Sequence, residues 1–352
     1  MAERGLDVVV VSDFEGSARE LFEARTLLFL GSWLEHQGPS RDWPLHLVAI
    51  GSPPPAVADL ARRSGARLVC RERVDPENRF LNKLRGLEIE SRTGRILLLD
   101  ADTLVLGDLS PAAALGDCFS ALVAPGNSLP LAVFEEVYAA AGVELPAERV
   151  LPLLGLLERE LPPRERRPLH RQAIPPYFNS GVVLAPAGSS LRGQWERVQR
   201  LLQARYAGRG KAFKALWGGD QHSLAVAVAI LRGEGVAYRA LPYALHGLDV
   251  LFAAGALRYE ETRIFHAKRL FRLGPQGEAL DPAREIELFW GDQVPRLYPE
   301  GPLARARQSL GRERIPSGAD SLARLCQRLR ELTARHVVPA LQEKRPASAY
   351  ST

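Results

Sequence analysis

Short apolar runs of strand length recur along the first hundred residues, separated by segments with helical spacing. Residues 6–11, 45–50, 67–70 and 96–99 are such runs, and residues 18–36 carry apolar side chains at helical intervals. Strands that alternate with helices are typical of a parallel or mixed sheet with helices packed on its faces. The pattern therefore predicts an α/β fold.

The alternation continues less regularly in the second part of the chain. Residues 182–184 form another apolar run, and helices are predicted over residues 131–141, 150–161 and 195–206, with a further apolar helix after Asp220. A helix is also predicted over 80–91, where three leucines share one face. These elements extend the same α/β architecture.

The length of 352 residues is enough for one large α/β domain with an appendage. We expect the main domain to span residues 1–290 and residues 291–352 to form a helical extension. Within the main domain, residues 110–176 are expected to be an insertion that shapes the pocket for a second substrate.

Composition narrows the class of protein. The chain is 46% apolar, and it contains neither a run of 18 apolar residues nor a signal peptide. We therefore expect a cytoplasmic protein without a membrane span. The three cysteines form no CxxC pair and are odd in number, so neither a zinc knuckle nor a disulfide framework is indicated.

The basic character of the chain lies in its tail. The net charge is +5, and residues 301–352 hold ten Arg or Lys against four Asp or Glu. Leucines fall on one face of a predicted helix over 320–337, which would either pack on the domain or lie on an anionic membrane surface. Nucleic-acid binding is not expected, because the tail lacks interleaved aromatic residues.

Two aspartates follow directly after the most apolar run of the chain. Residues 96–99 read ILLL, and Asp100 and Asp102 come next, separated by the small residue Ala101. Ligands of open α/β sheets bind beyond the carboxyl ends of the strands. Two carboxylates at that edge suit a divalent cation that carries a diphosphate, although an Asp-rich turn has the same sequence.

Polar residues also accompany two later apolar segments. Asn179, Ser180 and Gly181 are expected to form the turn into the strand at 182–184, where they would contact a polar ligand or simply make the turn. Asp220 and Gln221 stand at the start of an apolar helix, where Asp220 is either a functional acid or an N-cap.

Two lysines and a histidine complete the candidates. Lys83 lies off the leucine face of its predicted helix, as either a solvated lysine or a phosphate ligand. His266 and Lys268 are two residues apart in a strand-like segment and therefore on the same side, which would place an imidazole metal ligand beside a cation.

The absence of two nucleotide-binding motifs limits the enzyme classes. No GxGxxG follows the first strand and no GxxxxGK[ST] occurs, which disfavours a dinucleotide-binding Rossmann enzyme and a P-loop nucleotidase. A haloacid-dehalogenase-type phosphatase remains an alternative, because an apolar strand ending in DxDT is also its nucleophile motif. This chain, however, lacks the later pair of metal-binding acids that such a phosphatase has.

Five segments in order resemble the family 8, glycogenin-like retaining glycosyltransferases, which have a GT-A fold. These segments are FLNKLRGLE, LLLDADTLVL, YFNSGVVLAP, GGDQHSL and IFHAKRLF, and the similarity spans about residues 6–275. The resemblance implies transfer of a hexose from a nucleotide-diphosphate sugar, usually a UDP-sugar, with Mn²⁺ or Mg²⁺ as cofactor. The acceptor would be a saccharide, a lipid-linked sugar or a protein.

The resemblance also implies roles for individual residues. Asp100, Asp102 and His266 would bind the metal, and Asp220 and Gln221 would lie at the reacting face of the donor. Residues implied to contact the donor are Ser12, Asn82, Lys83, Ala101, Asn179, Ser180 and Lys268.

After His266 the chain departs from the family's usual His-x-x-Gly-x-x-Lys-Pro-Trp, and His246 remains a rival for the imidazole ligand. A sugar-nucleotide binding module without turnover is the alternative from another functional class.

Overall fold

The computed structural model describes residues 5–76, 78–126, 129–153, 172–209, 214–217, 219–248, 251–252, 256–267 and 318–342. Within these residues, nine strands form two sheets. Their bounds are β1 Asp7–Asp13, β2 Leu45–Ile50, β3 Arg67–Arg71, β4 Arg95–Asp100, β5 Thr103–Val105, β6 Phe119–Val123, β7 Phe178–Pro186, β8 Tyr238–Ala240 and β9 Ile264–His266.

The main sheet has seven strands in the order β3-β2-β1-β4-β7-β6-β8. Strands β1 to β4 pair in parallel, and β7 runs antiparallel to both β4 and β6. At the far edge, β8 is parallel to β6. The mixed, mostly parallel sheet predicted from the sequence is confirmed.

Helices cover both faces of this sheet. Their bounds are α1 Arg19–Glu35, α2 Pro55–Arg63, α3 Ser110–Ala113, α4 Leu131–Ala140, α5 Leu191–Tyr206, α6 Lys214–Trp217, α7 Gln221–Gly233, α8 Gly318–Leu332 and α9 Val338–Gln342. Among the described helices, none has the length and apolar character needed to cross a membrane.

The central strands are buried on both sides because side chains alternate across a strand. Val8 and Val10 of β1 belong to a core with α1 and α2, whereas Val9 belongs to a second core with α4, α5 and α7. Continuous apolar runs such as residues 96–99 are therefore explained by burial between two helical layers.

The segment predicted as a helix over 80–91 is a 3-10 helix, Arg79–Glu88. A 3-10 helix has three residues per turn, so residues three apart lie in line. Leu81 and Leu84 have that spacing and are buried against the sheet. Gly86 lies so close to the sheet that a Cβ added to it would be 2.5 Å from the side chain of Leu98.

The basic C-terminal segment packs against the main body. Leu325, Leu329 and Leu332 of α8 are buried in the same core as α1. Glu35 at the end of α1 pairs with Arg328, Arg335 and His336. Packing on the domain, one of the two expectations for this helix, is thus confirmed for these leucines.

Some predicted features lie outside the described residues. Most of the helix predicted over 150–161, and about a quarter of the insertion predicted over 110–176, fall in residues 154–171. The boundary expected at residue 290 also falls in a part of the chain that the structure does not describe. The division into domains therefore stays a prediction.

Candidate active site at the end of strand β4

Strand β4 delivers the two aspartates to the carboxyl edge of the sheet. The strand ends at Asp100, whose backbone carbonyl accepts a hydrogen bond of 2.7 Å from the Thr103 hydroxyl. This closes a tight turn in which the side chain of Ala101 enters the core. Asp100 and Asp102 therefore both remain at the edge where α/β proteins bind ligands.

The small second sheet brings His266 to these aspartates. Strand β9 pairs antiparallel with β5, so that His266 lies opposite Thr103, and Ala267 N donates to the Asp102 carbonyl at 2.7 Å. His266 Nε2 is 3.2 Å from Asp102 Oδ1 and 3.8 Å from Asp100 Oδ2. One ligand atom from each of the three residues lies within 4.8 Å of the others.

Strand β7 forms the wall behind His266. Asn179 and Ser180, expected in a turn before the strand, lie within β7, where the pairing with β6 shifts between Ala121 and Leu122. Such irregularities are common next to active sites. Gly181 lies here, and a Cβ on it would be 2.3 Å from the His266 ring, so this position requires glycine.

Lys83 joins the site from the 3-10 helix. Its Nζ is 2.6 Å from Asp100 Oδ1 and 2.9 Å from Asp220 Oδ2, and it donates to the Ser180 hydroxyl and carbonyl at 3.1 Å. Only 13% of its side chain is exposed. The interpretation of Lys83 as a solvated lysine is therefore wrong.

Asp220 directs its carboxylate toward Lys83 instead of the helix that it precedes. The Ser180 hydroxyl donates to Asp220 Oδ1 at 2.8 Å, and the Trp195 indole donates to the Asp220 carbonyl at 3.0 Å. The side chain makes no N-cap hydrogen bond to α7. The interpretation of the Asp220 side chain as a cap of this helix is therefore wrong.

The environments of the two β4 aspartates push their pKa values apart. Burial raises the pKa of Asp100, and the charge of Asp102 adds to this against the opposing effect of Lys83. Burial opposes ionisation of Asp102 as well, but Arg25 and His266 outweigh it and hold its pKa well below the usual range. Such divergence is frequent at functional sites.

The lysine and its second partner are both held in their charged forms. Burial disfavours the charge on Lys83, but Asp100 and Asp220 outweigh burial and raise its pKa. Burial likewise disfavours ionised Asp220, whereas Lys83 and the Ser180 hydroxyl lower its pKa. The site therefore presents one fixed ammonium between two carboxyl groups.

His246, the other candidate for the imidazole ligand, contacts His266 and not the two aspartates. Its Nε2 is 3.2 Å from His266 Nδ1, and its side chain is fully buried. Burial lowers the pKa of His246 well below its ordinary value, and the neighbouring His266 adds to this effect. Of the two histidines, only His266 is in the cluster with the aspartates.

Sequence reasoning missed Arg25, which helix α1 places 3.4 Å from Asp102 Oδ2. Arg25 occupies an otherwise ordinary helical position, and nothing in the local pattern distinguishes it. Asp13 was also not singled out. It is the last residue of strand β1 and accepts hydrogen bonds from Arg73 and Asn82 near the same sheet edge.

Four further candidate residues lie in the described part of the chain. The Ser12 hydroxyl is buried and hydrogen-bonds Thr26 Oγ1 at 2.6 Å. Asn82 bridges Asp13 and Val74 N. Asn179 accepts from Gly181 N, and Gln221 is the half-buried first residue of α7.

Lys268 lies outside the described residues.

A sequence model of the Rhodobacterales glycosyltransferase domain matches residues 39–232, more than half of the chain. The matched span includes both β4 aspartates, Lys83 and Asp220. The chain therefore belongs to the Rhodobacterales glycosyltransferase domain family and is a glycosyltransferase. No curated protein matches the chain in sequence.

Three solved structures share its general outline at low identity. Mouse xyloside xylosyltransferase 1 in its apo form is 15% identical, with a TM-score of 0.44 over 74% of this chain and 97% of the other. The galactosyltransferase LgtC in complex with donor and acceptor sugar analogs is 18% identical, with a TM-score of 0.43 over 80% of this chain and 95% of the other. The glycosyltransferase GlyE of Streptococcus pneumoniae TIGR4 is 12% identical, with a TM-score of 0.45 over 82% of this chain and 65% of the other.

The topology described above agrees with the GT-A architecture that the sequence predicted. Parallel strands lead to the two aspartates, and an antiparallel strand follows beside them in the sheet. The family match decides against the haloacid-dehalogenase-type phosphatase.

Proposed function

We propose that this protein transfers a hexose from a nucleotide-diphosphate sugar, specifically a UDP-sugar, to an acceptor hydroxyl in a Mn²⁺- or Mg²⁺-dependent reaction. The observation that carries the proposal is the convergence of Asp100, Asp102 and His266 ligand atoms within 4.8 Å. Carboxylates suit Mn²⁺ and Mg²⁺, and a neutral imidazole is a common metal ligand. Arginine and lysine charges flank the cluster, which favours a diphosphate beside the ion.

In this proposal, Asp100, Asp102 and His266 would hold the cation, and the bound cation would supply positive charge next to the departing nucleoside diphosphate. Lys83 adds a second charge on the same side, because its ammonium already lies 2.6 Å from Asp100. Charges placed before the reaction stabilise a developing anion without reorganisation. Lys268 is proposed to act similarly, on the resemblance alone.

We assign the reacting face of the donor to Asp220 and Gln221. Asp220 is kept ionised by Lys83 and Ser180, so its carboxylate can stabilise a sugar carbon that becomes positively charged. Retention of the anomeric configuration would follow if the acceptor attacks from the side of the leaving phosphate. Asn179 and Ser180 are proposed to contact the sugar, and Ser12, Asn82 and Ala101 other parts of the donor.

A panel of nucleotide sugars tests the donor proposal. Because a ligand that binds only the folded state raises its apparent stability, we expect one UDP-sugar to raise the melting temperature only when Mn²⁺ is present. Asp102→Asn should abolish the shift, whereas Asp117→Asn, a change at an exposed acid, should preserve it. Stabilisation independent of metal in the native protein would contradict the proposed metal site.

Product analysis tests turnover and stereochemistry separately. With the stabilising donor and a set of saccharide, lipid-linked and protein acceptors, we expect a glycosylated product whose anomeric proton shows the configuration of the donor. The opposite anomer would contradict retention while leaving transfer intact. Binding without transfer or donor hydrolysis would favour a sugar-nucleotide binding module.

We propose that the C-terminal segment contacts a membrane surface through its exposed arginines. Its leucines are buried against the domain, so they are not part of this contact. Arg324, Arg330 and Arg335 are exposed, and anionic lipids attract such residues. Sedimentation with anionic vesicles should be weakened by Arg330→Gln and by salt. Equal sedimentation with anionic and neutral vesicles would contradict this contact.

A further inference from the structure

The two buried histidines form a direct contact at the rear of the candidate metal cluster. His246 Nε2 is 3.2 Å from His266 Nδ1, and the ring centroids are 5.4 Å apart. The other nitrogen of His266, Nε2, is the one that faces Asp100 and Asp102. His246 therefore contacts His266 on the side opposite to the ligand atoms.

The backbone fixes His246 relative to strand β9. His266 N donates to the Gly247 carbonyl at 2.8 Å, and Gly247 N donates to the Ile264 carbonyl at 2.8 Å. These bonds make a short parallel bridge beside Phe265. The separation of the two imidazoles is thus set by the main chain and not by a flexible side chain alone.

Strand β7 also restricts the ring of His266. A Cβ at Gly181 would overlap the His266 ring, which shows that the ring lies directly on the backbone of β7. The imidazole therefore contacts both this backbone and His246. Rotation of the ring would lose the bond to His246.

The proton of a neutral imidazole resides on one of its two nitrogens, and a metal ligand must present the other as a lone pair. For His266 Nε2 to coordinate, Nδ1 must carry the proton and needs an acceptor. His246 Nε2 is within hydrogen-bond distance of that atom. Partners of this kind usually orient metal-ligating histidines.

We propose that His246 is a positioning residue whose Nε2 accepts a hydrogen bond from Nδ1–H of His266 and thereby holds His266 Nε2 toward Asp100 and Asp102. This inference rests on the proposed metal site. Within the described residues, His246 Nδ1 has no hydrogen-bond partner. With Nε2 as the acceptor, the proton of the neutral His246 ring is on Nδ1. The contact with His266 is thus the hydrogen bond that this buried ring makes, which favours a role in positioning.

Three substitutions separate the acceptor atom from the shape of the ring. His246→Gln can place an amide oxygen near the position of Nε2, His246→Asn carries the same amide on a shorter side chain, and His246→Leu is apolar and of similar size. Mn²⁺ binding is measured on the full chain by electron paramagnetic resonance of free Mn²⁺, with and without UDP. Thermal unfolding without metal is measured in parallel.

We expect His246→Leu and His246→Asn to weaken Mn²⁺ binding about tenfold to hundredfold, and His246→Gln to stay within about threefold of the native protein. Unchanged affinity in all three variants would overturn the inference, and equal losses in all three would overturn the acceptor role. If the Leu variant does not fold, the comparison of Gln with Asn decides. A native protein without saturable Mn²⁺ binding would overturn the metal site itself, and this inference with it.

Discussion

Lys83 and Asp220 form an ion pair 2.9 Å long that connects the 3-10 helix with the start of α7. Both side chains are mostly buried, and Ser180 contacts each of them. The pair places a fixed positive charge beside Asp100 and a fixed negative charge beside the sugar position proposed above. In the proposed function, the pair links the side of the site that would hold the donor phosphates to the side that would face the sugar.

Replacing the lysine tests this link. Lys83→Gln leaves Asp100 and Asp220 without their shared cation, and we expect a loss of about 3 kcal/mol of unfolding free energy, typical of a broken buried pair. The transfer rate should fall on the order of 100-fold or more, because a preplaced charge is lost. Urea unfolding and kcat/KM for the donor measure the two effects.

The matched control for this substitution is Lys214→Gln at the exposed start of α6, which should change neither quantity. In a double-mutant cycle, Lys83→Gln and Asp220→Asn should be strongly non-additive in stability. Additive effects would show that the two residues do not act as a pair.

Gly181→Ala should disturb the imidazole without changing any charge. The added Cβ would be 2.3 Å from His266 ring atoms, so either the ring or strand β7 must move. We expect Mn²⁺ affinity to fall at least tenfold and the unfolding free energy to fall by about 1–3 kcal/mol, the usual effect of overpacking. Isothermal titration with Mn²⁺ and UDP measures the affinity.

Gly193→Ala is the matched control, because nothing lies within 4 Å of its added Cβ and it lies within helix α5. Alanine there should stabilise the protein by about 0.5–1 kcal/mol and leave metal affinity unchanged. Normal Mn²⁺ binding in Gly181→Ala would show that the close approach to His266 is unimportant.

Asp7 makes folding stability depend on pH. Although burial favours its neutral form, hydrogen bonds from Thr93, Ser91 and His46 lower its pKa. A lowered pKa in the folded state means that the carboxylate stabilises the protein above the unfolded value of about 3.9. This stabilisation is lost as the pH falls through the folded-state pKa.

We therefore expect Asp7→Asn to be less stable than the native protein at pH 7 by about 2 kcal/mol, with a smaller difference near pH 3. Urea unfolding between pH 3 and pH 7 measures this change. The exposed Asp117→Asn serves as control and should follow the native curve. A difference that stays constant with pH would contradict the contribution of the Asp7 charge.

Glu35 should control how firmly the C-terminal segment is attached. Its carboxylate contacts Arg328, Arg335 and His336, and the hydrogen bonds and charges of these groups outweigh burial and lower its pKa. We expect Glu35→Gln to reduce stability by about 1 kcal/mol and to speed trypsin cleavage within residues 318–342. Glu20→Gln, at an exposed position of the same helix, should show native digestion; equal digestion of both variants would contradict this role.

Local patterns in the sequence predicted strands β1, β2, β3, β4 and β7 of the main sheet, but not β6 or β8, and they predicted part of the site. The apolar run at 96–99 predicted a buried strand. The two aspartates had to lie at its carboxyl end, because Asp100 is the last residue of β4 and Asp102 comes two residues later. The sequence pattern also singled out His266, Lys83 and Asp220 as candidates, and the resemblance implied their roles. The structure brings these three to the aspartates, whereas Lys268 stays a prediction.

Contacts between distant segments were decided only in three dimensions. Gly181 reads as turn chemistry in the sequence, yet its small size matters because the His266 ring lies on it. Arg25 and His246 likewise gain their meaning from Asp102 and His266, which other elements supply. Sequence determines which segments become strands and helices, since that depends on spacing and burial, but packing of those elements determines which polar atoms meet.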